Sequence, residues 1–262
     1  MTAQKCHSAT MQTVQTSHIA KRFARAYDGY RQQAVVQAMM AERLVDELVN
    51  MGGHHFDQVL EIGCGSGLLS DRFAKRCTAK QLILNDLYDD IMYNPKHLDT
   101  ADYHYLIGDI STVKLPDGLD LVLSGASLQW IYPLDQLMAR LYQACRSGAV
   151  LAFSSFGVDN LREIRQLTGR GLEYYTVQAL RECITAQGWQ ISQLHAWHEV
   201  LYFDSPMASL RHLKATGVTG SDREYRWTRT RLDEFCQAYQ SLATDNGVPL
   251  TYHPLIILAK KP

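Results

Sequence analysis

Apolar residues along this chain follow two rhythms, and the places where one gives way to the other outline the fold. From His18 to Val49 the spacing is helical: Ile19, Phe23, Tyr27 and Tyr30 fall near one face, and Val36, Met39, Met40, Leu44 and Leu48 continue a second stripe. Two helices are expected there, ended by Gly52-Gly53. Five short apolar runs come next, at Val59–Ile62, Leu82–Leu84, Tyr103–Ile107, Leu119–Leu123 and Ala149–Phe153. Helix-length segments, notably Leu68–Arg76 and Leu134–Cys145, lie between them. Strands of Val, Ile and Leu alternating with helices form parallel sheets covered on both faces.

After Phe156 the rhythm changes to a helix at Val177–Ala186, a strand-like Ile191–Phe203, helical Met207–Ala215 and Arg229–Leu242, and a last strand at Leu255–Ala259. The expected fold is therefore α/β: a Rossmann-like, seven-stranded, mostly parallel sheet with helices on both faces, an N-terminal helical segment and a small helical lid late in the chain. In that reading residues 1–17 form a flexible arm and 18–262 a single unit, with N-terminal helices over 18–50 and the lid over about 204–245, before the last strand.

Composition narrows the function. With 46% hydrophobic and 20% charged residues the 262-residue chain is of ordinary globular type. A formal net charge of -1 provides no global field for nucleic acid or an anionic membrane. No apolar run approaches the roughly 20 residues that span a bilayer, and the polar, Thr/Gln-rich Met1–Ser17 lacks the apolar core of a secretory signal. Cys6, Cys64, Cys77, Cys145, Cys183 and Cys236 show no CxxC spacing, so neither a disulfide framework nor a metal site is expected, and a reduced, cytoplasmic setting is.

The informative stretch is Val59-Leu60-Glu61-Ile62-Gly63-Cys64-Gly65-Ser66-Gly67-Leu68, where a buried strand turns through three glycines into a helix. Glycine lets backbone turn sharply and approach a ligand with no Cβ in the way. N–H groups at the following helix start can then meet an anion. The pattern is GxGxG; Leu68 stands where a nicotinamide dinucleotide site would carry its third glycine. Asp86 follows the second strand, about twenty residues beyond the loop, a separation at which a carboxylate suits a vicinal ribose diol. Capping of the next helix is the alternative for Asp86, and Asp89 and Asp90 are neighbouring candidates.

The glycine loop with Glu61 at its strand end resembles the first motif of class I S-adenosylmethionine-dependent methyltransferases. The resemblance implies that Gly63, Cys64, Gly65 and Gly67 line the methionyl part of the cofactor and that Glu61 helps hold its amino end. By the same resemblance Asp86 and Leu87 flank the ribose, Asp109 of Gly108-Asp109-Ile110 accepts from the adenine amino group, and Ile110 offers the ring a surface. Turn chemistry alone also selects Gly-Asp.

Further segments resemble a narrower family, the malonyl-acyl-carrier-protein O-methyltransferases of biotin synthesis. They are Phe23-Ala24-Arg25-Ala26 through Tyr30 to Gln37, Leu121 to Trp130, Phe153-Ser154-Ser155-Phe156-Gly157 with Asn160-Leu161, Arg211 to Gly217, and Pro249-Leu250-Thr251-Tyr252-His253. The family usually shows Asn where this chain has Gly125. The resemblance implies methylation of the free carboxyl of a malonyl thioester, on acyl-carrier protein or coenzyme A, giving the ester that enters pimeloyl synthesis. No general base is expected, because that carboxylate is already ionised at neutral pH.

Candidate acceptor contacts are Lys214 as a steering cation, Tyr30 from the N-terminal helix, Gln129 and Trp130 as pocket wall, and Tyr252 with His253 before the last strand. Each has an alternative in plain packing, solvation or, for Tyr252-His253, anchoring the lid. Arg223, Arg226, Arg229 and Arg231, with Tyr225 and Trp227, suggest a docking ridge for an acidic carrier, or a solvated helix entry balanced by Asp222, Glu224, Asp233 and Glu234. Other readings are a methyltransferase for another small carboxylic acid, one for a quinone-like carbon with His195, His212 or His253 as base, and a non-catalytic nucleoside-binding protein.

Overall fold

The computed structural model describes residues 30–87, 89, 102–217 and 227–262. The expected arm at 1–17 and most of the first expected helix lie outside the described residues. Residues 30–33 are helical, and after a break at Ala34 helix α1 runs Val35–Asn50. Then follow β1 (His55–Ile62), α2 (Leu68–Arg76), β2 (Thr78–Asp86), β3 (Tyr103–Ile107), β4 (Leu119–Gly125), α3 (Leu134–Ala144) and β5 (Cys145–Phe156). The later elements are α4 (Arg162–Thr168), α5 (Val177–Thr185), β6 (Gln190–Ala196), β7 (Glu199–Phe203), α6 (Pro206–Ala215), α7 (Arg229–Gln240), β8 (Val248–Tyr252) and β9 (Pro254–Lys260).

Seven strands form one sheet in the order β3-β2-β1-β4-β5-β9-β6. The first five are parallel, and β9 runs antiparallel between β5 and β6. Alternate strand residues feed two cores, as the period of two requires. On one face Leu60, Ile62, Val122, Phe153 and Ile257 pack with Leu137, Met138 and Leu141 of α3 and Leu180 and Ile184 of α5. On the other, Val59, Leu82, Leu121, Leu123 and Ile256 pack with Leu44, Val45 and Leu48 of α1 and Leu69 and Phe73 of α2.

The doubly wound α/β reading is the observed fold, with three local differences. Met39 is exposed, because the buried stripe of α1 follows Val36, Met40, Leu44 and Leu48. The strand-like run 191–203 breaks at Trp197-His198: β6 stays in the main sheet, whereas β7 leaves it to pair with β8. Neither β8 nor α4 was anticipated. Pro249 within β8 argues against a central strand, and it is accommodated here because a two-stranded sheet consists only of edges. Between β6 and β9 the chain thus makes an excursion of β7, α6, α7 and β8.

Candidate cofactor and acceptor site

The C-terminal ends of β1, β2 and β4 converge on the glycine loop. Gly63, Gly65 and Gly67 all have positive φ, +68°, +48° and +73°, so the loop alternates left-handed steps that side chains resist. Space adds a second demand at Gly63, where a Cβ would lie 2.2 Å from Ser127 Oγ. At Gly65 the nearest atoms to such a Cβ are 3.9 Å away or more, which leaves that part of the loop open to a ligand. Gly67 is the N-cap of α2, so the helix and its free N–H groups begin where the loop ends.

Asp86 is tied into this loop, its Oδ2 accepting the Gly65 N–H at 2.9 Å. Beside it Asn85, buried and not singled out from sequence, joins the strand ends. Its carbonyl accepts the N–H groups of Gly63 and Cys64 at 2.9 and 3.0 Å. Its amide donates to Leu106 O and Gly108 O at 2.7 and 3.0 Å. The only hint in the sequence was a polar residue closing an apolar strand.

Glu61 is nearly inaccessible, with Ser70 Oγ donating to Oε2 at 2.6 Å. Burial pushes its pKa from 4.5 to about 8, against the Ser70 hydrogen bond, and the carboxylates of Asp71 and Asp86 push the same way. Burial first, and then the neighbouring carboxyls of Glu61 and Asp86, hold Cys64 as a neutral thiol well above its ordinary pKa. The carboxyl groups of Glu61, Asp71 and Asp86 gather around one glycine loop, where Arg31 pairs with Asp71 and Glu61 can add its charge when a cation binds. An ammonium or sulfonium ligand complements such a cluster. Ser66 Oγ on the loop and Gln129 Oε1 nearby are buried without a hydrogen-bond partner among the described residues, as unmet polar groups beside a ligand site would be. The residues present therefore fit a cationic nucleoside.

Asp109 turns back on its own loop, accepting the Ser111 N–H at 2.9 Å, and it remains partly exposed. Ile110 is buried in the core shared with α3, so less of it is free to face a ring than the sequence suggested. Arg140 of α3 fixes this turn by donating to the carbonyls of Ile110 and Val113. Leu87 is half-buried just after Asp86, and Asp89 is exposed.

The acceptor candidates separate into two groups. Tyr252 is buried, its hydroxyl 2.9 Å from His212 Nε2, and it packs on Phe156, which also meets Tyr174 edge-on. Ala126, just beyond β4, packs on this aromatic cluster and so links it to the glycine-loop side of the sheet. Burial pushes the hydroxyl pKa values of Tyr30 and Tyr174 up to about 12 and that of Tyr252 higher still, leaving neutral donors. Gln129 donates to Ala126 O at 2.5 Å within a short 3-10 turn that also carries the partly buried Trp130.

Lys214 and His253 are placed elsewhere. On α6 the structure buries His212, Leu213 and Thr216 and exposes Arg211 and Lys214, so His212, not the lysine, meets Tyr252. His253 points away from its neighbour Tyr252, as successive strand-end residues do. It stacks on His198 at 4.4 Å and accepts the Asp159 N–H at 3.2 Å, an anchoring arrangement. Arg229 and Arg231 are exposed on the first turn of α7, whereas Arg223 and Arg226 lie outside the described residues.

Known proteins place this geometry in a family. Residues 60–153 match the model of the methyltransferase domain. A malonyl-acyl-carrier-protein O-methyltransferase of Acinetobacter baylyi is 37% identical across 94% of this chain and 96% of its own length. One from Porphyromonas gingivalis is 38% identical across 95% and 98%. The chain belongs to the malonyl-acyl-carrier-protein O-methyltransferase family. Where that family usually shows Asn, a side chain at Gly125 would begin 3.3 Å from Leu69 Cβ, so Leu69 crowds the position. The YcgJ protein of Bacillus subtilis shares the fold, with a TM-score of 0.62 at 10% identity over 84% of this chain and 98% of its own. A Bacillus halodurans protein gives 0.61 at 15% over 83% and 98%. Among the described residues no helix is long and apolar enough to cross a membrane.

Proposed function

We propose that this protein transfers a methyl group from S-adenosylmethionine to the free carboxylate of a malonyl thioester on acyl-carrier protein, giving the methyl ester that enters biotin synthesis. Near end-to-end kinship with enzymes of that name, at 37% identity to the Acinetobacter baylyi relative, carries this reading. The carboxyl-lined glycine loop supports the donor half of it.

The cofactor, when bound, supplies an electrophilic methyl on a sulfonium. Gly63, Cys64, Gly65 and Gly67 bring bare backbone to it, Asp86 and Glu61, which gives up its proton as the cation binds, provide negative charge, and Leu87, Asp109 and Ile110 serve the nucleoside end. A malonyl carboxylate is ionised at neutral pH, so its oxygen forms the new C–O bond as the C–S bond breaks, and no side chain need remove a proton. What remains for the protein is alignment to about 3 Å and exclusion of water. Tyr30 and Tyr252, protonated at any physiological pH, are suited to donate to the acceptor carboxylate, with Gln129 and Trp130 as wall. Helices α6 and α7 act as a lid on that wall.

Exposed Arg229 and Arg231 contribute to docking. Cations on the first turn of a helix are not favoured by its dipole, whereas they attract an acidic carrier. The five cysteines of the described residues are unpaired, in keeping with a cytoplasmic setting. Mass spectrometry of malonyl-acyl-carrier protein incubated with enzyme and S-adenosylmethionine tests the proposal: a methyl-sized gain is expected. No gain there, with gain on another acid, retires the acceptor and keeps the donor.

A further inference from the structure

Away from the glycine loop, three residues far apart in sequence meet where the chain passes between its two sheets. Asp159 lies between β5 and α4, His198 in the two-residue passage from β6 to β7, and His253 is the single residue joining β8 to β9. Asp159 Oδ2 lies 3.0 Å from His198 Nε2 and 3.6 Å from His253 Nδ1. One potential ligand atom from each residue falls within 4.8 Å of the other two.

Two imidazoles and a carboxylate are a common donor set for zinc, leaving a position open. Metal–ligand bonds of about 2.0–2.1 Å at tetrahedral angles set ligand atoms roughly 3.3 Å apart, between the two distances seen here. The site is also built from behind. The His253 ring is wedged so closely against Gly157 that a Cβ there would come within 2.7 Å of it. The backbone N–H of His253 donates to Asn160 Oδ1 at 3.3 Å. His198 and Asp159 are about half exposed and leave an approach from solvent. A metal here would replace the 3.2 Å Asp159 N–H to His253 Nδ1 contact and the 3.0 Å His198–Asp159 hydrogen bond, and would turn the two stacked imidazoles so that both nitrogens face it.

We propose that Asp159, His198 and His253 form a divalent transition-metal site of the zinc class that staples the β7/β8 excursion to the main sheet. Its occupancy would tie both passages that join α6, β8 and Tyr252 to the main sheet, at His198 and His253, to the β5–α4 connection at Asp159. The site lies apart from the glycine loop, and metal binding alone reads its occupancy.

Untagged, metal-stripped full-length protein is titrated with Zn2+ against a chromophoric chelator, and in parallel with Co2+ for its visible ligand-field absorption. One tight equivalent is expected, with a raised Tm from binding to the folded state. His198→Ala, at a half-exposed position, should lose that equivalent or weaken it by about 10–100-fold, and Asp159→Asn should do likewise. His195→Ala, on β6 beside Glu47, should leave it unchanged. No tight equivalent in the parent protein, or one that survives both His198→Ala and Asp159→Asn, overturns the proposal.

Discussion

Replacing Glu61 by Gln separates what the buried carboxyl does for the cofactor from what it costs the fold. The amide keeps the shape and an oxygen for the Ser70 hydroxyl, now 2.6 Å from Oε2, but carries no charge. In the folded protein the carboxyl titrates near 8, against an ordinary value of 4.5, chiefly because it is buried. Folded chains therefore hold this proton between those two values while unfolded chains have released it, and stability falls as pH rises through that window. At about 1.4 kcal/mol per tenfold change in proton activity, the cost is roughly 3 kcal/mol at pH 7 and about 1 kcal/mol at pH 5. Glu61→Gln removes it, so without cofactor the variant should melt higher at pH 7, by about 5–10 °C for a chain of this size. The advantage should narrow towards pH 5.

Cofactor binding should show the opposite preference. A cationic ligand stabilises the ionised carboxylate, so wild-type affinity for S-adenosylmethionine should tighten from pH 6 to pH 8, by at most about tenfold per pH unit, with proton release on binding. The variant should bind more weakly at pH 8 and show a flatter profile. Differential scanning fluorimetry at pH 5, 7 and 8, with calorimetry in two buffers of different ionisation enthalpy, measures both sides. A variant no more stable than wild type at pH 7, or one with an unchanged pH profile of binding, refutes the reasoning.

Gly63→Ala should be severely destabilising, because a left-handed step costs about 1–2 kcal/mol and the new methyl would collide with Ser127 as well; an unchanged denaturation midpoint would contradict the loop geometry. Tyr252→Phe strips the hydroxyl 2.9 Å from His212 and should cost about 1–3 kcal/mol in urea unfolding while raising KM for the malonyl thioester. Lys214→Ala, at an exposed position, should leave both within about twofold and 0.5 kcal/mol, and a large rise in KM would restore the lysine as the steering cation. Paired Arg229→Glu and Arg231→Glu should raise KM for carrier-bound substrate and spare a small malonyl thioester; equal effects on both would remove the docking role.

How much of this was readable in advance follows from how local each signal is. The loop from Glu61 to Leu68 and the helix Leu68–Arg76 were legible because glycine spacing and helical periodicity are encoded within a few residues. Parallel strands buried on both faces, such as β4, also announce themselves as short apolar runs, and the largely exposed edge strand β3 ran as expected over Tyr103–Ile107. Asn85 was invisible because its importance lies in carbonyls of another strand, 21 and 23 residues away. That α6 buries His212 and exposes Lys214 depends on which side of the helix turns inward, and a helix with polar residues on several sides does not declare that. Strand β8 hid behind Pro249, and the meeting of Asp159, His198 and His253 depends on the crossing of two sheets.

The position of β9 has a consequence for how the protein is made. Its residues, almost all buried, fill the gap between β5 and β6, so a ribosome that has synthesised everything up to Tyr252 holds a chain whose sheet is missing an inner member. Two apolar strand edges stay open until residue 260 emerges, a state prone to pairing with other chains. Completion of the sheet therefore waits on this late strand, and loss of the segment 254–260 should give aggregates in place of a slightly weakened enzyme.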